Sequence, residues 1–331
     1  MFGELLGASD YELLSNAADL AEFFAALRTT PYASTLRSES KNFAFAVRGH
    51  WVARVEKVAK LMPSAARELC LAYLAKVELE ALKTLLRGIL RGVNRRQLLS
   101  MLPPLPTGSR IPLTEFLATN NLEEAARALK RTPYAAAVAE EIKTVSTGGE
   151  LADRSLLAFE TALDRLFFAG LAATCQFFVG SEHTTIKRVI GTLADTTNVL
   201  AVERLRKTFG LTPQAAANYL VSFGFRMGGA QRRELCEWNG EGPAPFLLRE
   251  SRPGVALATL ARQLLCREAI KSLFTVPFHA GLALAYVLLS EIESSNLVTI
   301  YEAKQWGMDH AAILRRLIFF RSAAAAGDSG A

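Results

Sequence analysis

The chain has 331 residues, 50% hydrophobic and 21% charged, with 22 glycines and 12 prolines; it can build a sizeable core, which excludes disordered, collagenous and low-complexity classes. Cys70, Cys175, Cys236 and Cys266 lie far apart without a CxxC pair, which argues against a disulfide framework or a tetrahedral zinc site and for a reducing compartment. A net charge of +6 favours acidic partners: nucleic acid, anionic lipid or an acidic protein face.

The first residues, MFGELLGASDYELL, carry acids where an export signal needs a basic start and an apolar run, so no export signal is expected. Apolar residues then recur at spacings of three and four, and period-two alternation is nearly absent. The spacing predicts helices over Ala65–Leu90, Leu151–Phe178, Thr184–Phe209, Val255–Phe274 and Leu282–Trp306. Breaks fall at Pro63-Ser64, residues 103–112, Thr147-Gly148-Gly149, Thr212-Pro213, Gly228-Gly229 and residues 239–245. Ser64, Thr212 and Asp309 are the expected N-caps, with Pro213 in a first helical position. Ser272–Ser290 holds no Asp, Glu, Lys or Arg, but Thr275, Pro277 and His279 leave only Ala280–Leu289 uninterrupted. That is a buried helix, too short to span a bilayer. The tail AAAAGDSGA is expected to fray. The fold class is all-α.

Internal repetition is the informative feature. DLAEFFAALRTTPYASTL (Asp19–Leu36) returns as NLEEAARALKRTPYAAAV (Asn121–Val138) at a constant offset of 102. Pro31-Tyr32 and Pro133-Tyr134 mark a corner: proline cannot continue a helix but can open the next, and the tyrosine closes over the turn. Pro245-Phe246 is a weaker third copy. A second signature, an amphipathic helix running from acid to base and stopped by glycine, occurs at 74–92, 193–210 and 289–307. The later copies place Asp195 with Asn198, and Glu293 with Asn296, at i, i+3; the first has Val77 and Glu80 in those places. Such pairs read as helix-corner hydrogen bonds before catalytic groups. Repeats near 100 residues are too long for a TPR or HEAT solenoid; three such lobes can close about a pseudo-threefold axis or stack in a row, and repetition alone does not choose.

These signatures resemble the central-stalk C subunit of V/A-type rotary ATPases, the family of the d subunit in eukaryotic V-ATPases. Ala285-Tyr286, Glu291, Glu293, Asn296-Leu297 and Gly307 look like that family's C-terminal helix pair, and residues 195–211 resemble its middle-lobe motif. The resemblance implies a funnel-shaped socket of three related helical lobes about a pseudo-threefold axis. The expected lobes are residues 1–110, 111–228 and 229–322, with 323–331 a disordered tail. It further implies a non-catalytic rotor subunit on the cytoplasmic face, peripheral to the membrane, joining the D/F-type shaft to the proteolipid ring and carrying torque for ion transport. Arg87, Arg91, Arg95, Arg96, Arg204, Arg206 and Lys207 are candidates for a docking face, with ordinary solvated charge as the equal alternative.

No phosphate loop GxxxxGK[ST] and no GxSxG, HExxH, GxGxxG or DDxxD run occurs, and the four histidines sit singly. No catalytic residue, cofactor, metal or small-molecule substrate is expected. The alternative class is a basic helical scaffold or nucleic-acid-binding protein through the LRGVNRR segment. The aromatics, which follow apolar stripes, argue against it, and no nucleic acid is expected.

Overall fold

Every regular element among the described residues is helical, as the apolar spacing requires. The computed structural model describes residues 2–33, 42–139, 151–241, 244, 245, 247, 255–274 and 280–319. The corner expected at Pro245-Phe246, His279 and the tail 323–331 lie wholly or partly outside them. Two short helices, α1 (Ala8–Asn16) and α2 (Leu20–Leu27), precede a first long pair, α3 (Phe43–Leu61) and α4 (Ser64–Leu90). After α5 (Arg95–Ser100), α6 (Leu113–Leu117) and α7 (Leu122–Ala128) comes a second pair, α8 (Leu151–Cys175) and α9 (Gly180–Lys207). Then α10 (Pro213–Ala217) and α11 (Gly229–Glu237) lead to a third, α12 (Leu257–Leu273) and α13 (Ala280–Gln305), and α14 (His310–Leu314) follows.

The three pairs pack in a closed cycle: α4 lies against α8, α9 against α12, and α13 against α3. One core runs through all of them, with Trp51 and Tyr73 from the first pair, Phe168 and Ile190 from the second, and Cys266 and Leu284 from the third. Each is almost wholly removed from water, which supplies the main driving force for assembly. The uncharged stretch Ala280–Leu289 is the buried start of α13, and no described helix is long and apolar enough to cross a membrane.

Three smaller cores sit around the far halves of α4, α9 and α13. Leu297, Ile300 and Ala303 of α13 pack with Leu6, Tyr11, Phe23 and Tyr32 from the N-terminal segment. Leu82, Leu85 and Leu86 of α4 pack with Phe116, Leu129 and Tyr134, and Val199 and Val202 of α9 pack with Leu220, Met227 and Leu235. The N-terminal segment thus completes the unit of the last long helix.

The three long inner helices end alike. Gly92, Gly210 and Gly307 take φ of 65°, 59° and 63°, a left-handed turn that a side chain would strain. Two residues later Asn94, Thr212 and Asp309 each accept the backbone N–H three residues on, from Gln97, Ala215 and Ala312, and so start α5, α10 and α14. Thr212, Pro213 and Asp309 hold their expected places. Ser64 does not: Pro63, extended at φ −54° and ψ 157°, occupies the cap, and Ser64 is already the first helical residue.

Candidate functional site

Both Thr-Pro-Tyr corners build the same structure. Asp19 and Asn121 cap α2 and α7 by accepting from Glu22 and Glu124, each at 2.9 Å. Those glutamates reach back past the caps to the N–H groups of Ala18 and Asn120, each at 2.8 Å, a reciprocal pairing one residue longer than a capping box. At the other end Thr30 and Thr132 donate to the carbonyls of Leu27 and Leu129 at 2.7 Å and accept from the Tyr32 and Tyr134 N–H at 3.2 Å. The hydroxyl therefore satisfies a helix carbonyl while holding the tyrosine in place.

Each tyrosine then reaches a glutamate on an inner helix. Tyr32 donates to Glu293 at 2.7 Å, and Tyr134 donates to Glu78. An arginine completes each cluster: Arg54 lies 5.2 Å over the Tyr32 ring and donates to Glu293 at 2.7 Å, while Arg110 lies 5.7 Å over the Tyr134 ring and 3.6 Å from Glu78. Burial pushes the Glu293 carboxyl above its ordinary value, against the Leu6 N–H, Tyr32 and Arg54, which all favour the anion. Tyr32 is held well above the usual phenol range by burial and by that same carboxylate.

Glu78 is the counterpart of Glu293, which corrects the reading that put Val77 and Glu80 in the signature places. Val77 is buried in the core and Glu80 pairs with Arg48 at 2.6 Å. The register follows the stop glycine: Glu78 stands fourteen residues before Gly92, and Glu293 fourteen before Gly307. Ala81 then replaces Asn296. Asn296 exchanges two hydrogen bonds with the Ile318 backbone, and Asn198 does the same with Val221, each partner eleven residues past its glycine. In the first unit that place is Pro103, which has no N–H to give, so no asparagine is needed.

Asp195 makes a different closure. Its Oδ2 accepts from Phe225 at 3.1 Å and Arg226 at 2.7 Å, while Oδ1 is buried without a hydrogen-bond partner. Burial pushes this carboxyl up, and the backbone N–H bonds pull the other way. Gly191 permits the approach, since a Cβ there would meet the Phe225 backbone nitrogen at 2.7 Å. Asp195, Asn198, Glu293 and Asn296 each hold hydrogen bonds to backbone or corner groups far along the chain from their own helix.

The three inner helices also share a cavity of about 460 Å³. Asp195 stands fifteen residues before Gly210, one more than the glutamates from their glycines; the residues two before Glu78, Asp195 and Glu293 (Lys76, Leu193, Glu291) and two after (Glu80, Thr197, Ser295) all line the cavity. Equivalent positions therefore face one space. The cavity carries an ionic knot: Glu291 accepts from Lys76 at 2.7 Å and Arg48 at 3.4 Å, and Tyr73 donates to it. Burial raises the Glu291 carboxyl, but Lys76 and Arg48 outweigh it and hold it below its ordinary value.

Of the seven candidate cations, five are engaged within the chain. Arg87 and Arg204 converge on Glu160, Arg204 at 3.0 Å, and so tie α4 and α9 to α8. Arg95 donates to the Ala118 carbonyl at 3.1 Å, Arg206 to that of Leu211, and Lys207 pairs with Glu203 at 2.9 Å. Arg91 and Arg96 are exposed. Among the described residues no group of His, Cys, Asp and Glu could hold a metal ion. All four cysteines are buried, and burial lifts the Cys70 and Cys266 thiols to about 12. Sequence reasoning missed Glu78, Arg54, Arg110 and Glu160; for Glu78 the distance to the stop glycine was the available signal.

The family model for the ATP synthase (C/AC39) subunit matches residues 1–316. The chain belongs to that family. It is similar to the C subunit of the A-type ATP synthase of Methanocaldococcus jannaschii, 22% identical over 267 residues, which is 75% of this chain and 64% of the relative. It is also similar to the C subunit of the A-type ATP synthase of Methanothermobacter thermautotrophicus, 24% identical over 76% of this chain and 67% of the relative. The match thus spans slightly less than two thirds of the first relative's length.

Proposed function

We propose that this chain is the central-stalk rotor subunit of a V/A-type ATPase or ATP synthase, joining the rotating shaft to the membrane proteolipid ring. It lies peripherally on the cytoplasmic side and carries torque for ion transport without chemistry of its own. The central cavity is the observation that supports this most. Three register-equivalent helices facing one space make a socket with pseudo-threefold walls, suited to an axial partner such as the tip of a D/F-type shaft. Three lobes about that axis, at 1–110, 111–228 and 229–322, belong to the same reading.

A torque adaptor must not shear between its units, and the ion pairs answer that need. Glu160 holds Arg87 and Arg204 from two different inner helices, and Glu291 holds Arg48 and Lys76 across the first and third pairs. Partly buried networks of this kind fix geometry more than they add stability. Arg91 and Arg96, exposed near the ends of the inner helices, are the cations best placed for docking onto acidic partner loops.

Placing a photo-crosslinking thiol reagent on Thr197→Cys tests the socket in the assembled enzyme. The native cysteines are buried, so the new thiol reacts first. A crosslink to a shaft subunit is expected; a crosslink confined to this chain itself, in fully assembled enzyme, would contradict the socket.

A further inference from the structure

Glu78 and Glu293 are held alike, each by a corner tyrosine, an arginine and one backbone N–H, from Arg110 at 3.2 Å and from Leu6. The chain leading into Leu6 does more than the chain leading into Arg110. Phe2 packs edge-on against the Tyr286 ring, with centroids 5.4 Å apart. The Glu4 carboxylate accepts from the Tyr286 hydroxyl at 3.4 Å, and the Glu4 carbonyl accepts from Arg54 at 3.4 Å. Residues 2–6 thus cover one flank of the contact between α13 and α3, and Tyr286 beneath them is fully buried. In the register set by Gly92 and Gly307, the counterpart of Tyr286 is Leu71, which is 37% exposed.

Leu71 borders a groove of about 490 Å³ between α4 and α8, which shares no lining residue with the central cavity. Leu74, Ala75 and Phe167 continue its apolar wall. Where α3 sends Arg54 across to its glutamate, α8 offers only Ala169 and Gly170 to this space. Gly170 lies inside α8, where glycine weakens a helix relative to alanine, and a Cβ there would meet nothing within 4 Å. Packing within the described residues does not call for that glycine; the room it leaves belongs to the groove. The charge of the groove also opposes that of the chain. Glu56, Glu68 and Glu78 line it with one cation, Arg110, which is engaged by Glu78, although the net charge is +6. Glu68 is exposed, and Thr107 fixes Glu56 through its N–H at 2.6 Å and its hydroxyl at 2.9 Å. We propose that this groove receives a segment of a protein partner that lays an aromatic side chain against Leu71 and a flanking lysine or arginine against Glu68 and Glu56. Residues 2–6 supply the pattern, an aromatic with an acid beside Arg54; the acidic rim of the groove reverses the sign. An apolar floor with a few charged groups at its edge suits an aromatic anchor and gives it a direction.

The groove goes beyond the rotor reading and does not depend on it. The probe is a fluorescein-labelled peptide with the sequence of residues 1–6 carrying Glu4→Lys, titrated with the full chain and followed by fluorescence polarisation. Saturable binding is expected, with the unchanged peptide of residues 1–6 bound at least about tenfold more weakly. Gly170→Trp fills the groove from a position with open space around it and should lower binding by at least about tenfold at an unchanged melting temperature. Glu68→Lys should weaken the lysine peptide and narrow its advantage over the glutamate peptide, a readout that does not rely on filling the groove. Trp306→Ser should leave binding as it is. No saturation up to millimolar chain, equal binding of the two peptides, or binding untouched by both Gly170→Trp and Glu68→Lys would each overturn the proposal. The last result would assign the peptide to the place that residues 2–6 themselves occupy.

Discussion

Tyr32 and Glu293, separated by 261 residues of chain, are joined by a buried hydrogen bond of 2.7 Å that ties the N-terminal corner to the last long helix. The same carboxylate takes Arg54 and the Leu6 N–H, so the N-terminal segment, α3 and α13 meet at one point. Removing single partners should separate the contributions. Tyr32→Phe leaves Glu293 with Arg54 and should cost about 1–2 kcal/mol. Glu293→Ala leaves the Arg54 guanidinium buried without its carboxylate and should cost about 3–5 kcal/mol. Urea unfolding of both variants checks the order; equal losses would mean that the tyrosine and not the charge pair closes the corner.

Asp195 should be better as asparagine at neutral pH. Its folded carboxyl lies above the unfolded value of 3.8, chiefly through burial. A raised carboxyl contributes stability that is full at acid pH and is lost as pH rises through the folded value. Asp195→Asn keeps an acceptor for Phe225 and Arg226 and removes the charge. Its stability relative to the parent should therefore rise as pH goes from below 4 to 7, and denaturant midpoints across that range measure it. A relative stability that falls over the range would show that the backbone bonds need the anion.

His50 has the opposite sign. Burial first, and then the nearby Arg54 charge, lower it from 6.5 to about 4, so it is neutral in the folded chain. Stability from this group is complete above pH 6.5 and drains away as pH falls toward 4. The ring centroid lies 4.5 Å from that of Tyr32 with the planes tilted by 43°, a place that phenylalanine can fill. His50→Phe should flatten the melting temperature between pH 6.5 and 4, whereas a parent-like acid slope in the variant would assign that slope to other groups.

Gly191→Ala tests the close approach beneath Asp195. The added methyl would sit 2.6 Å from the Phe225 Cβ and 2.7 Å from its backbone nitrogen, and backbone yields less readily than a side-chain tip. A loss of about 1–3 kcal/mol is expected, with faster hydrogen exchange at the Phe225 and Arg226 amides. Unchanged exchange with unchanged stability would mean that the loop shifts freely.

The sequence made the helices legible because their apolar spacing and their stops are local properties. Both Thr-Pro-Tyr corners were legible for the same reason: cap, hydroxyl and tyrosine lie within one short stretch, and the stretch occurs twice. What could not be read was who answers the tyrosines. Glu78 lies 56 residues before Tyr134 and Glu293 lies 261 after Tyr32, so the pairing depends on how the hairpins close on one another. Counting fourteen residues back from Gly92, as Glu293 stands from Gly307, recovers the first acid as Glu78, whereas Asp195 stands fifteen before Gly210. The cations show the converse limit. A basic cluster in sequence resembles a docking face, yet Arg87 and Arg204 direct their charge to Glu160, a residue in α8 that no local pattern connects to them.

The most direct test of the rotor reading is recovery of the tagged chain from its native membranes in mild detergent, with mass spectrometry of its companions. Co-recovery of a proteolipid, a coiled-coil shaft subunit and the phosphate-loop ATPase subunits in constant proportion is the predicted result. Recovery of the chain without any of them, from membranes in which the ATPase itself remains assembled and active, would contradict it.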